Sequence, residues 1–347
     1  MNKVTKIGLT ALAGSLAAVA GAQAGSLTVS GGSNITWHKA SSNSSSTAQS
    51  VTGNPLGWQN NLTFTGSGEL DNGISWTANA YNSDAQALTS SNITFDLAGA
   101  GTLLVDNGAG GAGLDALDDK TPSAWEEAYD VGFDSGLVTV TGIHGSASLT
   151  YTLPADLLPM GAVVRLAWTP KADGGGLQAD KGSSGGSSSM REGRDITIEM
   201  APVDGLSVFA GYSERENVSS STNGGGDLLQ GAYGFTYSVG PVSFGAAKSY
   251  VNNDDGATQT VNYYENDNWS VAFNVNDNLS VSYAEWESEE HMGTGAKGGQ
   301  TLEIDSIQIA YNMGGATLQI ADTEGGETRY SAGATNHVRT INLSLAF

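Results

Sequence analysis

A two-residue alternation of apolar and small polar residues recurs along most of the chain, and no other feature restricts its folding so strongly. In Trp269–Val275, positions 269, 271, 273 and 275 hold Trp, Val, Phe and Val, separated by Ser270, Ala272 and Asn274. Asn276-Asp277-Asn278 interrupts the run, and Leu279, Val281 and Tyr283 then alternate with Ser280, Ser282 and Ala284. A period of two is that of a β-strand with one face in an apolar medium. Two such runs about a short Asn/Asp turn read as a hairpin. The scheme returns about Pro202 to Gly205, Gly240-Pro241 and Met313 to Gly315, and earlier about Glu69 to Gly73 and Ala98 to Gly101. The final seven residues repeat it, with Ile341, Leu343, Leu345 and Phe347 apolar. No amphipathic helix interrupts the series.

Alternation alone does not say whether the apolar medium is a protein core or lipid; the composition of the two faces does. A soluble sandwich or barrel carries charged groups on its solvent face. Here the polar face is mostly Ser, Thr, Asn, Gly and Ala, and Trp, Tyr and Phe gather near strand ends, as suits a wet interior and interfacial girdles. After residue 24 no apolar run reaches the length of a helical span. A chain of this kind crosses a bilayer only as a closed barrel, the one strand arrangement that satisfies every backbone group in lipid.

The start of the chain is read separately. Lys3 and Lys6, the uncharged apolar stretch Ile7 to Ala20 and the small-residue site Ala22-Gln23-Ala24 predict a secretory signal peptide over 1–24. A single barrel domain is then expected over 25–347. The chain has no cysteine, so no disulfide supports it. The signal segment holds two of the 14 basic residues and no acid, leaving 14 − 2 = 12 basic against 36 acidic groups, a net charge of −24. Such a surface repels nucleic acid.

The connections divide into two sets. Short turns join the hairpins named above, while Ala40 to Pro55, Ala172 to Glu192, Glu214 to Asp227 and Glu287 to Gln300 read as long polar loops. Short periplasmic turns and long external loops are the pattern of an outer-membrane barrel, which favours an all-β, antiparallel up-and-down transmembrane barrel over a secreted β-rich adhesin or binding module. Sixteen strands fit the length. Asp134-Ser135-Gly136 and Ala155 to Met160 both read as turns, which leaves eighteen open, and Val138 to Tyr151 is the least regular stretch.

With this pattern, the closing strand "INLSLAF" and its terminal aromatic, the chain resembles a general porin of the Gram-negative outer membrane, most similar to alphaproteobacterial porins. The resemblance implies a homotrimer of sixteen-stranded barrels forming water-filled channels for small hydrophilic solutes and ions. It implies that Phe347 belongs to the signal read by the barrel-assembly machinery. It also implies that the acidic stretch after Gly101–Val105, about 106–127, folds into the barrel as a constriction presenting Asp106, Asp115, Asp118, Asp119, Glu126 and Glu127 against the single Lys120. The Gly108 to Gly113 stretch gives the backbone freedom for that turn.

Parity adds a basic candidate. Val164, Leu166 and Trp168 share one face, which leaves Arg165 on the other, toward the lumen. It is the candidate for a basic wall opposite the constriction, or else a lumen-facing salt-bridge partner. The shortage of other inward basic residues predicts a preference for cations, because acidic rings concentrate cations and repel anions. Arg194, Lys248 and Arg339 share outward parity near the far rims of their strands, at the height of lipopolysaccharide phosphates, where snorkelling or a subunit interface serves equally well. No cofactor is expected. Asp118-Asp119 and Asp254-Asp255 offer oxygen ligands for Ca²⁺, but neither lies in an EF-hand loop. The four histidines, His38, His144, His291 and His337, lie in no nucleophile motif, so an enzyme is not expected. A substrate-selective channel is the main alternative function.

Overall fold

The computed structural model describes residues 25–42, 54–83, 87–172, 190–217, 226–252, 261–292 and 298–347; the expected signal peptide and Asp254-Asp255 lie outside them. Sixteen antiparallel strands close into one barrel. They are β1 (Ser26–Ser42), β2 (Leu56–Glu69), β3 (Ser75–Ser83), β4 (Ala87–Asp96), β5 (Thr102–Asn107), β6 (Ala147–Thr152), β7 (Val163–Thr169) and β8 (Met190–Val203). The second half holds β9 (Leu206–Asn217), β10 (Leu228–Val239), β11 (Val242–Asn252), β12 (Val261–Asn276), β13 (Leu279–Met292), β14 (Leu302–Asn312), β15 (Ala316–Gly326) and β16 (Thr335–Ala346).

Each strand pairs with its sequence neighbours, and β1 closes on β16. Ile35 lies opposite Leu343 and Trp37 opposite Ile341. The seam is finished by Phe347 itself: its N–H donates to the Gly31 carbonyl at 2.9 Å, and its carbonyl accepts the Gly31 N–H at 2.8 Å. No edge is left unpaired, as a bilayer requires.

The irregular stretch settles the strand count. Between β5 and β6 the chain runs from 108 to 146 without joining the wall, so the turn at 134–136 is not a wall turn and no seventeenth strand forms. This connection continues well past residue 127, where the acidic run ends. Several of its N–H and C=O groups are taken by inward side chains of the wall, as described below. Elsewhere the strands extend further than the polar composition suggested. β9 continues to Asn217 and β13 to Met292, through residues that read as loop because both faces are polar there.

Facing is clearest on β14. Ile307, Ile309 and Tyr311 point outward and are exposed, while Ser306 and Gln308 are buried inside. Nearer the far end the pattern inverts: Leu302 and Ile304 are buried inside, and Glu303 and Asp305 face out. Neighbouring strands make the same outward change, from Trp269 to Asp267, Tyr283 to Glu285 and Ile320 to Asp322. The boundary is bonded. Trp269 Nε1 donates to Glu285 at 2.8 Å, and Tyr283 OH approaches Glu285 at 2.6 Å and Asp305 at 2.7 Å. Amphipathic rings with apolar bodies below and polar tips above mark the edge of an apolar band.

An arginine at Ile309, inside this band, is expected to cost about 2–4 kcal/mol in unfolding from lipid vesicles, and one at inward Ser280 little. Equal costs at both positions would contradict the assignment of the faces.

Candidate functional site

The segment 108–146 lies inside the barrel, and its course follows from who bonds its backbone. At its root Asp106, on β5 and only 3% exposed, accepts N–H groups from Ala109 and Gly110. Gly110 has φ +70°, and a Cβ there would fall 2.0 Å from His144 Nδ1. Only glycine allows both the left-handed turn and the approach. His144 Nδ1 in turn meets Asp115 Oδ2 at 2.9 Å, joining the beginning of the segment to its end. Asp195 on β8 secures the same junction, accepting N–H from Leu114 at 2.8 Å and Ile143 at 3.3 Å.

From this clasp the segment runs along the inner wall. A short 3-10 turn, Leu114–Leu117, buries both leucines with Phe209 and Ala232. They rest against Gly211, where a Cβ would stand 2.7 Å from each. Ala124 N–H donates to Ser282 Oγ at 2.8 Å. The Gln308 carboxamide accepts from Trp125 at 3.0 Å and Glu126 at 3.1 Å, and donates to the Glu126 carbonyl at 2.6 Å. Val131 and Phe133 enter a second buried cluster with Trp286, Leu302, Ile304 and Val338, which explains why the inward face of β14 is apolar at that end. Thr340 donates to the Val131 carbonyl at 2.7 Å. On the way back, Asn266 donates to Val138 O, and Gln230 accepts from Thr141 and Gly142. The segment thus covers the inner wall from β8 to β16.

Other parts of the inner wall carry amides and hydroxyls. Thr65 donates to Asn79 and Asn79 to Asn92, while Asn34 donates to Gln59 and Asn342 to Gln319. A cavity of about 790 Å³ is lined by Asn34, Gln59, Gln319 and Asn342 of the wall and by Trp125, Glu126 and Asp130 of the segment.

The acidic residues singled out in the sequence divide into two groups. Asp106 and Asp115 are drawn into the root. Burial raises the Asp115 carboxyl, but the His144 hydrogen bond and the Gly111 and Gly113 N–H groups bring it below its ordinary value. His144 is correspondingly raised by that bond. Asp118, Asp119, Glu126 and Glu127 lie along the segment, joined by Asp130, which the sequence reading did not single out. Burial, then the charges of Asp119 and Asp115, push Asp118 up to about 8. Burial raises Glu126 and Glu127 to about 7, reinforced by Asp130 for the first and Asp119 for the second. Asp130 is raised by burial and by Asp119.

Arg165 is engaged by a carboxylate of the next strand. Its Nη1 lies 2.6 Å from Glu199 Oε1, while Lys120 Nζ lies 2.8 Å from the other oxygen, Glu199 Oε2. Phe347 stands apart, 72% exposed at the seam. The sequence reading missed Glu199, Asp195, Gln230 and Gln308. On β8 the inward neighbours of Asp195 and Glu199 are Gly193 and Thr197, and that mismatch in size and charge was the available signal there. Among the described residues one group has metal-ligating geometry, Asp322, Glu324 and His337, on the outer wall.

An apolar outer band, a polar inner face and an acidic segment lodged inside define a transmembrane barrel of the outer-membrane channel class. The chain belongs to the Gram-negative porin family, whose sequence pattern matches residues 8–333. Solved porins share its fold at low identity. Salmonella typhi OmpF in complex with daunomycin is 12% identical, with 92% of this chain and 97% of that chain covered and a TM-score of 0.65. A mutant Rh. blastica porin is 12% identical, with 93% and 100% covered and a TM-score of 0.59. The anion-selective porin from Comamonas acidovorans is 10% identical, with 93% and 100% covered and a TM-score of 0.60. No curated protein sequence matches the chain.

Replacing Gln308 with Leu leaves two buried N–H groups and one carbonyl unpartnered, at roughly 1–3 kcal/mol each. Hydrogen exchange at Trp125 and Glu126 should then quicken while the strands keep their protection. Unchanged exchange there would show that Gln308 does not hold the segment.

Proposed function

We propose that this porin is a passive diffusion channel for small hydrophilic solutes and ions, that it prefers cations, and that segment 108–146 forms its narrowest part. One observation carries the reading. Among the described residues Lys120 and Arg165 pair with Glu199, Arg329 pairs with Asp134, and no cation stands at ion-pair distance from Asp118, Asp119, Glu126, Glu127 or Asp130. In a narrow, partly desolvated lumen such an excess of carboxylates raises cation concentration and repels anions.

The wider setting belongs to the same reading. The chain is exported by the segment 1–24, the end bearing Phe347 and the short turns faces the periplasm, and the longer connections face outside. Phe347 is free to engage the assembly machinery, and the closing strand supports the likeness to alphaproteobacterial porins. Three such barrels assemble as a homotrimer. Arg194, Lys248 and Arg339 face lipid headgroups, but each already meets an outward acid, Glu192, Glu265 with Asp267, and Asp322 respectively. Lipopolysaccharide phosphates would have to compete with these. The family and fold favour a channel over an enzyme, and the reading requires neither cofactor nor Ca²⁺.

Planar-bilayer recordings across a KCl gradient test it: the reversal potential should carry the sign of K⁺, and an anionic sign would refute the reading. Arg165→Ala removes a positive charge and should move the potential further toward K⁺; no movement would deny Arg165 a part. The pH response has a definite sign. Asp118, Glu126 and Glu127 are neutral below their raised values and charged above them, so negative charge appears as pH rises through about 7 to 8. The K⁺ preference should grow from pH 6 to pH 9. A flat profile would mean that these groups do not face the ion path.

A further inference from the structure

Lys120 and Arg165 both reach a single carboxylate. Lys120 is carried by the segment and Arg165 by β7, while Glu199 lies on β8 and shares its inward face with Asp195 and Thr197. Arg165 pairs across the ladder with Thr197, so Glu199 is its diagonal neighbour two residues on, within reach of a long side chain. The two carboxylate oxygens are divided between the cations, Oε1 to Arg165 and Oε2 to Lys120. All three side chains are partly buried, between 19% and 29% exposed, where solvent weakens charge interactions less than at an open surface. Glu199 is therefore the group that holds both basic side chains at once.

We propose that Glu199 is the specificity-determining residue of the channel: by binding Lys120 and Arg165 together it withholds from the ion path the positive charge that would otherwise offset Asp118, Asp119, Glu126 and Glu127. This rests on the channel reading above. The cluster of three carries net charge +1. Without Glu199 it carries +2, with both cations released to face the segment's carboxylates across the water. Glu199 also ties the segment to the wall, so a role confined to anchoring is the alternative to be separated. Anchoring alone would alter the size of the conductance but not its charge preference.

The test uses the full-length protein reconstituted in planar bilayers. Glu199→Gln keeps the shape of the side chain and should lower the K⁺/Cl⁻ permeability ratio several-fold at 0.1 M salt. The effect should shrink at 1 M, where the screening length falls from about 10 Å to about 3 Å. A conductance change with an unaltered ratio, or a ratio shift that ignores salt, would overturn the proposal. If Glu199→Gln does not assemble, the double variant Lys120→Met/Arg165→Met leaves a bare Glu199 and should raise the ratio; no rise would equally overturn it. Failure of the channel reading itself looks different, because the unmodified protein would then show no conductance steps.

Discussion

Hydrocarbon offers no partner to a backbone N–H or C=O, and every other feature of this protein follows from that. Strands can cross such a medium only when each is paired on both sides, so sixteen of them return on themselves and the last residue, Phe347, still bonds to Gly31. Closure then divides the side chains by parity. One set, such as Phe273, Ile309 and Leu343, faces outward, and the other, such as Gln59, Asn79 and Gln319, encloses the interior.

That division was legible in the sequence because a two-residue period survives point by point in stretches such as Leu279–Tyr283. It was less legible where a second surface competes for the same side chains. Leu302, Ile304 and Trp286 face inward although they are apolar, since they pack against Val131 and Phe133 of the internal segment. Glu303 and Asp305 face outward although they are charged, since that part of the wall has risen past the apolar band. Polarity read without height would misplace all five. The end of β9 and of β13 was lost for a related reason: when both faces are polar, alternation carries no signal.

The internal segment was visible as a glycine-rich acidic stretch without alternation, but not in its full extent. Its second limb, Gly136 to Ser146, has few charges and is held by side chains distant in sequence, Asn266, Gln230 and Asp195. No local pattern announces such contacts. The same holds for Arg165. Its inward facing followed from Leu166 and Trp168, yet its partner Glu199 lies in the next strand, beyond a long polar connection. Ile198 and Met200 flank Glu199 and fix its facing, so an inward carboxylate could have been read there, but not that Lys120 would reach it too.

The picture that results is electrostatic. Barrel closure creates the lumen, amide and hydroxyl side chains line part of it, and in the reading proposed above the carboxylates of the internal segment supply the field. The absence of cysteine from the chain permits a direct examination of this arrangement. Single cysteines at Gln59 and at Phe273 can be challenged, in reconstituted vesicles, with water-soluble thiol reagents of matched size, one cationic and one anionic. The account predicts rapid reaction at position 59, faster with the cationic reagent, and protection at position 273. Faster reaction with the anion at 59, or reaction at 273 in place of 59, would contradict it.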